Sequence, residues 1–158
     1  MSDTLVEQAA PGARSMSSPF VACFLAWLLP GLGHFYLGKK VRAAMFFAVV
    51  VLMFALGVAS DGAASLIEQR QPLTILATFD NLAAGPIDLI SRYLTFRSIV
   101  YVLPGEEGDP RRAELVERLR SRVRSVTYEY GNTFLLTAGL MNILLILDAF
   151  DIATGRKD

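Results

Sequence analysis

Three stretches of the chain run for 18 residues or more without Asp, Glu, Lys or Arg. Ser15 to Gly38 is 24 residues long, and as a helix it extends ~36 Å, more than the ~30 Å hydrocarbon core of a bilayer. Ala43 to Ser60 is an uncharged run of 18 in which Gly57 and Ser60 alone fall outside the apolar set. Tyr130 to Leu147 is a third run of 18, richer in small and polar residues such as Gly131, Asn132, Gly139 and Asn142, as suits a helix packed on other helices. The pattern therefore predicts spans over about 19–38, 43–60 and 131–149. A soluble protein would need polar sequence elsewhere to cover three such helices, and the chain has little.

The segment 73–96 has a different pattern. Leu73, Leu76, Phe79, Leu82, Ala83, Ile87, Ile90, Tyr93 and Leu94 share one broad helical face, and Thr74, Thr78, Asn81, Asp88 and Arg92 lie opposite. Asp80, Asp88 and Arg92 would each cost ~3 kcal/mol near the centre of a lone span. Asp88 and Arg92 are four apart and able to pair. The pattern predicts an amphipathic helix kinked at Pro86. It either lies in the membrane interface, the reading preferred here, or crosses with its polar face turned into a bundle.

A last helix is expected over 109–126, where Asp109-Pro110 has the form of an N-cap followed by proline in the first turn. Leu115, Val116, Leu119, Val123 and Val126 form a narrow apolar stripe among Arg111, Arg112, Arg118, Arg120, Arg122 and Arg124. This basic surface helix either attaches to anionic lipid headgroups or an acidic protein partner, or packs its stripe on the rest of the chain.

Composition agrees with the pattern: 53% of the 158 residues are hydrophobic, 19% are charged, and mean hydropathy is +0.43. The 15 Lys and Arg balance the 15 Asp and Glu, and no aromatic residues interleave the arginines, so nucleic acid is not an expected partner. The expected class is all-α: a polytopic membrane protein with three transmembrane helices, one amphipathic or partly inserted helix and one basic surface helix. Residues 1–18 read as a flexible arm, 19–150 as one membrane domain and 151–158 as a tail. The acidic arm is the wrong charge for the front of a secretory signal.

Lys39, Lys40 and Arg42 in the first connection place it on the cytoplasmic side and the N-terminal arm outside. Three crossings then put the Arg-rich helix outside and Arg156-Lys157 inside, whereas a fourth crossing through 73–96 reverses both.

Chemistry is sparse. One histidine, His34, and one cysteine, Cys23, do not supply a metal site, no Ser-His-Asp set is evident, and no cofactor is expected. The candidate polar contacts are Asn142, Asp148 and Asp151. Asn142 is expected to hydrogen-bond across a helix contact. Asp148 and Asp151, three apart, either end the last span in the headgroup region or hold a metal for a lipid headgroup reaction. A contact from Asp148 to His34 or Lys39 would fasten the last span to the first connection.

The first run contains Pro30, Gly31, Gly33, His34, Phe35, Tyr36 and Gly38 in the order Pro-Gly-Leu-Gly-His-Phe-Tyr-Leu-Gly. Proline should kink or break the helix, and the glycines allow close backbone approach, so a bent hairpin leading into the second span is expected, with an ion or headgroup site as the alternative reading. The motif resembles the signature of the TM-two type domain, a pair of membrane helices with a short linker. It departs from that pattern at His34, where arginine is usual, and in the second span, which has no acidic residue near its end. A closer resemblance is to small uncharacterised bacterial membrane proteins that combine this motif with a final segment like Glu129-Tyr130-Gly131-Asn132-Thr133-Phe134, Ala138-Gly139-Leu140-Met141-Asn142 and Asp148-Ala149-Phe150-Asp151-Ile152-Ala153. That resemblance implies a multi-pass protein of the bacterial cytoplasmic membrane and no assigned activity. The functional expectation is a non-catalytic scaffold or interaction subunit, with a subunit of an oligomeric pore or transporter as the alternative. The bilayer is the expected partner, and homo-oligomers remain open.

Overall fold

The computed structural model describes residues 18–68, 72–105 and 108–157, so the arm expected over residues 1–18 lies outside the described residues except for Ser18. Among the described residues there are seven helices and no strand: α1 (Pro19–Leu28), α2 (Leu32–Tyr36), α3 (Lys40–Ala59), α4 (Pro72–Ala83), α5 (Pro86–Phe96), α6 (Pro110–Val123) and α7 (Tyr128–Ala153). Four of them open on proline, whose missing N–H costs nothing in a first turn. At α6 the Asp109 side chain accepts from Arg111 N at 2.8 Å, which completes the expected cap.

Among the described residues, only α3 and α7 are long and apolar enough to cross a membrane. They run antiparallel. Gly57 of α3 packs on Leu135 and Gly131 at one end, and Val50 packs with Ala138 and Leu145 in the middle. The buried positions of α3 are Ala43, Val50 and Gly57, while Val41, Met45, Leu52 and Leu56 are exposed. Small residues thus set the helix contact, and large apolar ones face outward.

The expected span over 19–38 is not one helix. Leu29 is extended, as a residue before proline tends to be, and Gly31 takes φ +84°. α2 then folds back on α1, so closely that a Cβ on Gly33 would stand 2.4 Å from the Ala22 carbonyl oxygen. Both ends of this first hairpin lie at the Lys39 end of the α3–α7 pair.

The 73–96 segment is likewise two helices, broken at Ala84-Gly85. α4 runs alongside α7, with Asp80 against Gly139 and the Ala83 carbonyl on Asn142. α5 returns, bringing Arg92 to the Ser65 carbonyl and Thr95 to the Ala64 N–H. This second hairpin opens at the Gly131 end, opposite to the first. The two meet tip to tip: Trp27 Nε1 donates to the Leu82 carbonyl at 3.1 Å, and Gly85 lies against the Trp27 carbonyl.

The second hairpin is inverted relative to a soluble helix pair. Thr78, Asp80, Asn81, Asp88, Ser91, Arg92 and Thr95 are buried, while Leu73, Leu76 and Phe79 are 62–80% exposed. The polar face of the segment is thus turned into the bundle and its apolar face outward. Over the open end lies a cap in which Leu115 of α6 packs with Ala64, Leu66, Phe96 and Leu103, and Ile67 bridges Val102. The tail begins after Ala153, since α7 continues through Asp151.

Gly85 has φ +72° and ψ −147°, a region open essentially to glycine alone, and an added Cβ would lie 2.0 Å from the Trp27 carbonyl oxygen. Gly85→Ala is expected to cost at least about 1–3 kcal/mol and to red-shift the emission of Trp27, the one tryptophan. Fluorescence-monitored unfolding in detergent checks this; an unchanged spectrum and midpoint would mean that the tips do not touch.

Candidate functional site

The glycine motif builds a corner. Gly31 brings the start of α2 onto the Ala43 backbone of α3, and Gly38, at φ +79°, turns the chain from α2 into α3. Pro30 is buried in the break, while Phe35 and Tyr36 are exposed, with Lys40 6.0 Å from the Phe35 ring. His34 points the other way, into the bundle. It is fully buried, packs edge-on to Phe46, and donates from Nε2 to Asp148 Oδ2 at 2.8 Å. Asp148 receives Lys157 on its other oxygen, and Asp151 pairs with Arg156 at 3.6 Å. The two aspartates therefore serve different partners and do not form one cation clamp. Lys39, the alternative partner weighed for Asp148, is replaced by Lys157, which follows α7 in the chain.

Beside this ion pair lies an open cavity of about 620 Å³ between α3 and α7. Met45, Phe46, Met141 and Leu144 form apolar walls, and Arg42, Asp148, Asp151 and Lys157 form a charged mouth.

Midway along α7, Asn142 is fully buried and donates from Nδ2 to the Ala83 carbonyl at 2.7 Å. It thereby caps one of the last carbonyls of α4, and Trp27 caps another at Leu82. Asp80, one turn before Ala83, is 6% exposed, and neither carboxylate oxygen has a hydrogen-bond partner.

At the cap, Arg92 is fully buried. Its Nε donates to Asp88 Oδ2 at 2.7 Å, its Nη1 reaches the Ser65 and Val100 carbonyls at 2.9 and 2.6 Å, and the Tyr101 ring centre stands 3.8 Å from its central carbon. The guanidinium fork thus ties α5 to two loop segments. Burial, with the Asp88 charge beside it, pushes the Tyr101 phenol above its ordinary range, and Arg92 opposes that shift.

The arginines of α6 divide into two sets. Arg112 donates to the Pro104 carbonyl and faces Glu68, Arg118 pairs with Glu114, and Arg122 reaches the Leu94 carbonyl and Asp61. Arg111, Arg120 and Arg124 are exposed. The inner part of the apolar stripe, Leu115, Val116 and Leu119, packs on the cap, whereas Val123 and Val126 stay exposed. Arg118 and Glu114 sit at the helical i,i+4 spacing on the exposed face.

Sequence reasoning missed Trp27, Tyr101 and Lys157 as partners and marked Asp80 only as a costly charge. A carboxylate within an otherwise apolar run was the available signal for Asp80. Nothing local announces Trp27, whose role depends on where the second hairpin ends.

The architecture is that of an all-helical chain with two long apolar helices and two broken-helix hairpins. The chain belongs to the family of unknown function DUF6677, whose model matches residues 21–158. Neither the curated proteins nor the solved structures gave a match.

Removing the Asp148 carboxylate strands a buried imidazole. Asp148→Ala is expected to lower stability by about 1–3 kcal/mol, and Asp148→Asn, which keeps an acceptor for His34, by less than half of that. Denaturant titration in detergent measures both. Equal, negligible losses would show that the contact does not fasten α7 to the first hairpin.

Proposed function

We propose that the chain is an integral membrane protein with no chemistry of its own, acting as a scaffold or interaction subunit in a bacterial cytoplasmic membrane. In this reading α3 and α7 cross the bilayer and the two hairpins enter it from opposite sides without crossing. The single observation that carries the reading is the inverted burial of α4 and α5. Apolar side chains are exposed where polar ones are buried, and lipid tails are the solvent in which that arrangement has the lower free energy. Broken helices fit the same solvent only where protein covers their ends, as Asn142 and Trp27 do here.

The cap then stands at one membrane surface, where Arg111, Arg120 and Arg124 present positive charge to anionic headgroups or an acidic partner. Lys39, Lys40, Arg42, Arg156 and Lys157 gather at the other surface, which the bias of basic residues assigns to the cytoplasm. The bacterial setting rests on the resemblance of the two motif segments. A second reading, as a subunit of an oligomeric pore or transporter, is favoured by one feature: buried polar groups of α4 and α7 face each other where the two broken hairpins meet. The metal-dependent lipid enzyme has less support, since Asp148 and Asp151 are each engaged by separate basic partners.

Two crossings have a signature that three lack. In a Cys23→Ser background, Ser18→Cys, Lys40→Cys and Arg156→Cys are expected to react with an impermeant maleimide from one side of the membrane and Arg118→Cys from the other. Labelling of Ser18→Cys and Lys40→Cys from opposite sides would restore a full span over 19–38 and overturn the re-entrant reading.

A further inference from the structure

We propose that Asp80 and Asn142 form a binding site for one small monovalent cation, a proton or a sodium ion, at the junction of the two hairpins. The oxygens of the site carry no donor: Thr78 Oγ1 and Asn81 Nδ2 of α4 are likewise buried without a partner, so neither bonds to Asp80 or Asn142. Both Asp80 carboxylate oxygens are buried without a partner, and so is Asn142 Oδ1. The orientation of that amide is fixed, because its Nδ2 end is engaged by the Ala83 carbonyl and a flip would set oxygen against oxygen.

The two groups share one interface in register. Asp80 lies on Gly139, and Ala83, three residues later, meets Asn142, three residues after Gly139. α4 and α7 run parallel here, so Asp80 and Asn142 lie on one helix contact, offset by about one turn along it. Gly139 creates the space: a Cβ there would stand 2.6 Å from Asp80 Oδ2. α4 also ends at this level, which brings the negative end of its dipole to the site.

Among the described residues, no other charge on the packed elements neutralises Asp80. On α5, Asp88 and Arg92 are closed on each other. α7 has no charged residue between Glu129 and Asp148, and α1 has none at all. An unpaired carboxylate this deep carries a cost of several kcal/mol, which a bound cation removes. One carboxylate and an all-oxygen donor set match a single positive charge, whereas calcium takes six to eight oxygens, usually from several carboxylates.

The inference goes beyond a scaffold and rests on the bilayer placement above, but its test is independent of topology. The full-length protein in detergent micelles is treated with dicyclohexylcarbodiimide, an apolar reagent that attacks protonated carboxyls in apolar surroundings, and adducts are mapped by mass spectrometry. The expected result is an adduct on Asp80, absent in Asp80→Asn, whose rate falls at least about tenfold as pH rises through a few units around the pKa of the site. If sodium is the ligand, sodium chloride at fixed pH slows the reaction several-fold relative to choline chloride; if the proton is the only ligand, the two salts give equal rates. No adduct on Asp80, or an adduct indifferent to both pH and sodium, overturns the proposal. Side-specific labelling of Ser18→Cys and Arg118→Cys is unaffected by that failure, so the two readings fall separately.

Discussion

A helix that ends where its last carbonyls are covered by protein leaves them without water, and everything else in this fold depends on how that need is met. α4 stops at Ala83; the Ala84 and Gly85 N–H groups turn back onto the Asn81 and Leu82 carbonyls, Trp27 Nε1 adds a second donor at Leu82, and Asn142 Nδ2 supplies the donor at Ala83. Because one donor sits on α1 and the other on α7, the tip of the second hairpin is held by the first hairpin and a long helix together. Gly85 permits the contact, since a side chain there would collide with the Trp27 backbone.

The same geometry accounts for the unusual placement of polar residues. Two hairpins that enter from opposite ends cover each other's tips and enclose a polar interior, while their outer faces carry Phe24, Leu76, Phe79 and Ile90. Within that interior the Asp88–Arg92 pair is closed by the Ser65 and Val100 carbonyls and the Tyr101 ring, so the charge at the hairpin mouth is balanced locally. Asp80, deeper and on the α7 side, has no such balance. The contrast between two buried acids of one hairpin separates a structural ion pair from a group that calls for a ligand.

Much of the helical layout was legible in the sequence. The uncharged runs locate α3 and α7, the Asp109-Pro110 cap locates α6, and the wheel over 73–96 separates the faces that end up buried and exposed. What was not legible is where the chain reverses. Pro30 and Pro86 signal a break in either case, but a kinked span and a re-entrant hairpin have the same local pattern. The difference lies in long-range contacts, Gly33 on Ala22 and Gly85 on Trp27, that no window of sequence contains. The candidate sites divide in the same way. The i,i+4 pair of Asp88 and Arg92 is local and readable, and the contact of His34 with Asp148, 114 residues away, is one of the two that the motif segments at the chain's ends suggest, whereas the carbonyl partner of Asn142, 59 residues away, has no signal in the sequence.

The most direct test of the hairpin architecture is a depth profile along α4 and α5. Nitroxide labels on the exposed apolar positions Leu73, Leu76, Phe79, Leu82, Ile90 and Leu94, in protein reconstituted into bilayers, report depth through their relative exposure to oxygen and to a water-soluble nickel complex. The account predicts that depth increases from Leu73 to Leu82 and then decreases to Leu94, with the deepest labels on either side of Gly85. A depth that passes the bilayer centre and emerges on the far side, or one that stays shallow throughout, would contradict it.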